Sequence, residues 1–228
     1  MNASQGSSRL RIVAALAAAG ACLALLYTLD GSRAAGASAR AEAVACTLVP
    51  SGTLKSTLSL SQAQVARNHD GTTKVSPGSD TECGTVLWDG APPKSQAAAI
   101  QALKSGHAAQ FGIETWAPNE ASPDVSKWPK DYAKLVKELK KGSADFPGLF
   151  TKAGWPSQPF RPAALGHPRT GLTFAMQKAY KGVLSAVACW WDNKKQSAIC
   201  LLDEEATFRP VVKHLDQVAA VAVPKFLG

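Results

Sequence analysis

Residues 183–202 read VLSAVACWWDNKKQSAICLL, two strand-like apolar runs (183–191 and 196–202) around the polar Asp192-Asn193-Lys194-Lys195. An even loop of two or four residues returns the second run antiparallel to the first. In that register Cys189 lies opposite Cys200, Trp190 opposite Ile199 and Ala188 opposite Leu201. A one-residue slip breaks all three pairs and turns every side chain to the other face. One face of the hairpin then carries Ala188, Trp190, Ile199 and Leu201. The other carries Val187, Trp191, Ala198, Leu202 and the cysteine pair. Both faces are apolar, so each needs a cover, from helices of this chain or from a partner.

The cysteine pairing points outward to the rest of the chain. Five cysteines are present, and Cys22 falls inside the apolar stretch IVAALAAAGACLALLYTL at 12–29. Basic Arg9 and Arg11 precede that stretch, and the small, polar segment 30–43 follows it. This is the layout of an export signal. Ala41-Glu42-Ala43 offers a small-x-small cleavage site before Val44. At 18 uncharged residues the core is long for a signal and short for a span of about 20 residues. A cleaved signal and an uncleaved anchor both remain open. A lipid attachment at Cys22 fits less well, because the apolar core continues past it. Residues 1–43 are thus a signal peptide or signal anchor plus linker, and residues 44–228 a single extracytoplasmic domain, secreted or membrane-anchored.

Four cysteines remain in that domain, an even number in an oxidising compartment. Of the three pairings, Cys46–Cys83 with Cys189–Cys200 is favoured, because each pair brackets one local segment. Metal or redox roles lack support in the spacing: there is no CxxC, and His69, His107, His167 and His214 are scattered. No metal or cofactor is expected.

The whole chain of 228 residues carries a formal charge of +8. Removing residues 1–43 takes away four arginines and two acids and leaves +6. The 46% hydrophobic content excludes a disordered chain, and no fixed period indicates a solenoid or coiled coil.

Further elements follow from local signals. Ser51 is expected to cap a helix over 52–60, and Ser95 one over 96–105 that Gly106 ends. Residues 61–82 are polar, with Asn68-His69-Asp70-Gly71 and Ser76-Pro77-Gly78 as turn signals; 83–88 and 109–116 read as strands, and 172–182 as either helix or strand. A helix over 129–141 has Pro129 in its first turn and Gly142 as its C-terminal cap. Its apolar stripe is Tyr132, Leu135, Val136 and Leu139, opposite a row of Lys130, Lys134, Lys137 and Lys141. Pro210 opens a last helix over 211–222, which Pro224 stops. The fold class expected is α+β: an antiparallel sheet covered by helices and stapled by two disulfides.

The segment from Cys46-Thr47-Leu48-Val49-Pro50, through Leu54, Leu58 and Leu60, to a second cysteine in the strand ending at Trp88 resembles a group of exported actinobacterial proteins. Many of them are lipoproteins, and their function is unknown. The resemblance covers residues 46–90. It implies a small α+β domain similar to the PsbP-like fold and brings no catalytic residues with it.

No GxSxG, HExxH, P-loop or GxGxxG motif occurs. Asp203-Glu204-Glu205 reads as a solvated strand-end turn more readily than as an acid pair or cation site. Trp190 and Trp191 belong to the core or to a binding surface. The lysine row at 130–141 is an ordinary solvated face or a surface for anionic lipid or cell-wall phosphate. Nucleic acid does not fit an exported chain lacking an aromatic-basic motif. The function expected is a non-enzymatic exported domain that binds an envelope protein or a small apolar ligand, with membrane contact through 12–29 if that segment is retained. The alternative is an envelope hydrolase whose active site is assembled from distant residues.

Overall fold

Strands β1 (Gln64–Asn68), β2 (Thr72–Val75), β3 (Gly78–Trp88), β4 (Ala108–Pro118), β5 (Thr170–Lys178), β6 (Leu184–Asp192) and β7 (Ser197–Glu205) join in one sheet in which every pairing is antiparallel. Its order is β1-β3-β4-β7-β6-β5, and β2 pairs with the other half of β3. The structure is a computed structural model that describes residues 44–58, 64–68, 72–75, 77–91, 93–144, 170–178, 183–205 and 208–228. Residues 1–43, read from the sequence as an export segment, therefore lie outside the described residues, as do His69, His167 and Trp155.

The hairpin adopts the expected register: Cys189 faces Cys200, Trp190 faces Ile199 and Ala188 faces Leu201. The Asp192 carboxylate accepts from the amides of Lys194 (2.7 Å) and Lys195 (3.2 Å), closing the turn as an Asx-type cap. Gln196 completes it in the left-handed region, at φ 50°. Both cysteine pairs are bridged as the spacing indicated, Cys46 to Cys83 and Cys189 to Cys200.

Both sheet faces are covered by the chain's own helices. On one face, α1 (Val44–Leu48), α2 (Ser51–Thr57) and α5 (Phe208–Leu227) bury Cys83, Leu87, Phe111, Ile113, Trp190, Ile199 and Leu201. The cover comes chiefly from Leu54 and from the α5 stripe Leu215, Val218, Ala222 and Leu227. On the other face, α4 (Trp128–Ala144) lays Trp128, Tyr132, Val136 and Leu139 over Trp116, Val187, Trp191 and the Cys189–Cys200 bridge. Beside it, α3 (Gln96–Lys104) sets Ile100 and Leu103 on Val86, Trp88 and Ala108. The α+β expectation holds, with helices on both sides of the sheet.

Several boundaries differ from the sequence reading, each for a physical reason. Residues 61–82 hold β1, β2 and the start of β3. β1 and β2 form an edge, where a strand has one neighbour and needs no continuous apolar run. Residues 170–178 are strand because they pair along all of β6. Pro50, not Ser51, occupies the N-cap of α2. Gly142 lies inside α4, and Pro224 lies inside α5. Pro224 removes only one backbone donor, one turn from the end, and the apolar contacts of Val223 and Leu227 hold that turn down. Ser95 behaves as read: its hydroxyl accepts from the Ala98 amide at 3.2 Å, and Gly106 turns the chain at φ 74°.

Gly78 begins β3 directly beneath the Trp128 indole, and a methyl group there would overlap the six-membered ring. Gly78→Ala should therefore cost about 1–3 kcal/mol by overpacking. Urea titration followed by tryptophan fluorescence checks this; an unchanged midpoint would refute the close approach.

Candidate functional site

The even-numbered positions of β3 and β4 point to the face covered by α3 and α4. Along that face the apolar patches under the two helices are separated by a band of carboxylates and an amide. Glu82 lies opposite Glu114 in the β3–β4 register, and Asp80 lies two residues along. Carboxylate oxygens of all three come within 4.8 Å of one another. Gln110 lies opposite Glu204 across β4 and β7. Between the two groups Gly84 faces Gly112, and the Leu202 side chain of β7 packs against Gly112.

Asp80 and Glu114 are only 2% and 4% exposed. Like charges this close, out of water, require compensation by a proton, a cationic side chain or a cation. Each of Asp80, Glu82, Gln110, Glu114 and Glu204 is engaged in a hydrogen bond or electrostatic interaction. Three clustered carboxylates are hard oxygen donors of the kind that calcium or magnesium takes. The same arrangement equally serves as a structural ion-pair network.

The acidic run 203–205 is corrected by the structure. Asp203 and Glu204 are buried within β7, on opposite faces, instead of standing solvated in a turn. The i, i+2 spacing of Asp80 and Glu82 was readable as a same-face pair in a strand. Glu114 joins them only through β3–β4 pairing, which no local pattern reports.

The residues expected to matter for binding separate cleanly. Trp190 and Trp191 are buried on opposite sheet faces, under α5 and α4. Of the two readings for these indoles, the structure places both in cores. The Trp128 indole donates to the Gln196 carbonyl at 2.9 Å. The indole N–H groups of Trp88 and Trp190 have no hydrogen-bond partner among the described residues, against the expectation that each would find one. Lys130, Lys134 and Lys137 are exposed along the outer side of α4. The side chain of Lys141 lies outside the described residues. Lys134 approaches Asp131 at 4.0 Å, a surface pair of small energetic weight.

Catalytic geometry around the described histidines is sparse. His107 stands 3.9 Å from Asp89, both in solvent at the end of the sheet. His214 is buried on α5 and engaged with a partner.

Tyr132, on the buried side of α4, has its hydroxyl 3.5 Å from the Asn193 side chain. Burial first, and the nearby Asp192 carboxylate second, push its pKa well above the ordinary phenol value. The folded protein therefore holds this proton at a pH where the unfolded chain releases it. The stabilisation is complete below the unfolded value of about 10 and is lost as pH rises through the folded value. Denaturant midpoints measured across that alkaline range should fall, and Tyr132→Phe should flatten the fall. An equal fall in the variant would assign it to other groups.

No family model matches this chain, and no curated protein or solved structure matches it.

Proposed function

We propose that residues 44–228 form an extracytoplasmic domain that works by binding at the cell envelope, with the outer side of α4 as its contact surface. The observation that carries this reading is the double cover of the sheet. The hairpin's Val187, Ala188, Trp190, Trp191, Ala198, Ile199 and Leu201 are buried under the chain's own helices, so what α4 turns outward is the row Lys130, Lys134 and Lys137. Two disulfides accord with an oxidising compartment outside the cytoplasm. No helix among the described residues is long and apolar enough to cross a membrane, so attachment, where it occurs, falls to residues 12–29. The resemblance of residues 46–90 to exported actinobacterial proteins belongs to the same proposal.

The hydrolase alternative would draw on Asp80, Glu82 and Glu114, and the burial of Asp80 and Glu114 keeps substrate from two of the three.

The test is photo-cross-linking from position 133, an exposed site between the lysines, in cells producing the full chain. The expected result is adducts with envelope components that diminish when Lys130, Lys134 and Lys137 are changed to Glu, while the disulfide map stays intact. A chain recovered from the cytosol with four reduced cysteines would overturn the proposal.

A further inference from the structure

Four separate contacts gather lysines at one end of the sheet, and the chain enters the domain at that same end. α1 starts there, where the Ala45 amide donates to the Thr81 hydroxyl (3.1 Å) near the beginning of β3. The last turn of α5 is tied to α1 by Lys225, whose ammonium donates to the carbonyls of Thr47 (2.6 Å) and Leu48 (3.4 Å). The β6–β7 turn is tied to the same helix end by Lys195, which donates to the main-chain oxygens of Leu227 (2.5 Å) and Gly228 (2.6 Å). The first turn of α4 joins that β-turn through Trp128 and Gln196.

Lys127, Lys130, Lys194, Lys195 and Lys225 therefore crowd one end, and all five are exposed. The acids nearby are largely committed. Asp124 pairs with Lys127 at 2.8 Å, Asp192 caps the turn and Asp131 lies 4.0 Å from Lys134, leaving Glu120 in solvent. Val125 on the preceding turn and Val44 at the chain's point of entry are two of the three large apolar side chains exposed among the described residues.

We propose that this end of the domain lies against anionic lipid headgroups of the membrane that residues 12–29 enter. The proposal rests on the reading of those residues as a retained anchor. Residues 30–43 number fourteen and reach at most about 50 Å even when fully extended. The end at which Val44 enters is thus tethered to the bilayer within that reach, and it is the end that carries the lysines. Charge attraction of this kind acts within a screening length of about 8 Å. Each lysine brought that close shifts the contact equilibrium roughly fivefold. The valines beside them add apolar surface of the type that sinks into the headgroup region.

The experiment uses the full chain reconstituted in vesicles of phosphatidylcholine alone, or of phosphatidylcholine mixed with phosphatidylglycerol. Lysines are acetylated briefly with a water-soluble reagent and read by peptide mass spectrometry. In the anionic vesicles modification of Lys130 and Lys194 should fall about fivefold or more. Lys94 and Lys104, near the opposite end, should be unchanged. Salt near 1 M, which shortens the screening length to about 3 Å, should restore labelling. The double variant Lys130→Glu, Lys194→Glu should lose the protection of Lys127 and Lys225.

Equal labelling in both vesicle types, a fall shared by both ends, or a chain that fails to float with either vesicle overturns the proposal. So does protection by inorganic phosphate added to neutral vesicles, which would name a free anion as the ligand. Of the α4 row these outcomes bear on Lys130 alone; the binding role assigned to that row fails separately, on cellular location and on cross-linking from position 133.

Discussion

Trp190→Ala should lower the free energy of unfolding by about 3–5 kcal/mol, a large share of the 5–15 kcal/mol typical of a domain. Trp190 is fully buried two residues before the end of β6. Ile199 faces it on β7 and Leu172 is its register partner on β5. Ala188 and Leu201 lie on the same face, under the α5 stripe. Truncation removes the largest of the fully buried side chains and leaves a cavity that strands on both sides and a helix above cannot close. The indole N–H has no partner among the described residues, so Trp190→Phe deletes an unsatisfied donor along with ring volume. That variant should cost markedly less, about 1–2 kcal/mol. Urea titrations of the two variants decide it. A Trp190→Ala midpoint matching the parent's would mean that the indole does not fill the core as described.

The second large effect is expected from the Cys46–Cys83 bridge. It closes a segment of sequence separation 37, against 11 for Cys189–Cys200. On the chain-entropy account these loops are worth about 4 and about 3 kcal/mol. The structural consequences differ more than the energies do. Cys189 and Cys200 are already register partners in a continuous β6–β7 ladder, so the hairpin keeps its register without the bond. Cys46 sits on the five-residue α1, too short to persist alone. Packing, the Ala45–Thr81 hydrogen bond and Lys225 also hold α1. Cys46→Ala with Cys83→Ala should therefore release α1 as well as destabilise the whole. The measurement is urea stability with amide exchange at Ala45, whose protection should vanish while amides of β6 and β7 stay protected below the transition. Retained protection at Ala45 would show that packing alone docks α1.

The sequence was legible where the governing interactions are local. Alternation around residues 193–196 set the hairpin register, because an even loop leaves one pairing that puts like with like. The same logic placed Ser95 at a helix start and Tyr132, Val136 and Leu139 on one helix stripe. Local rules failed where tertiary contacts outweighed them. Pro224 reads as a stop, yet α5 continues, since one missing donor costs less than the burial of Val223 and Leu227 gains. Residues 64–68 and 72–75 lack an apolar run, yet they form strands because β3 offers a free edge.

The candidate sites divide along the same line. Cysteine count and spacing were enough to indicate a domain stapled by two disulfides. The lysine row of α4 was equally plain from its spacing. The carboxylate band of Asp80, Glu82 and Glu114 required β3 and β4 to pair across the α3 connection. The lysine-rich end required four elements distant in sequence to meet at one edge of the sheet. Hydrophobic period and turn chemistry act over a few residues, so they can be read along the chain. Which strands become neighbours depends on burying both sheet faces at once, and that choice exists only in the folded whole.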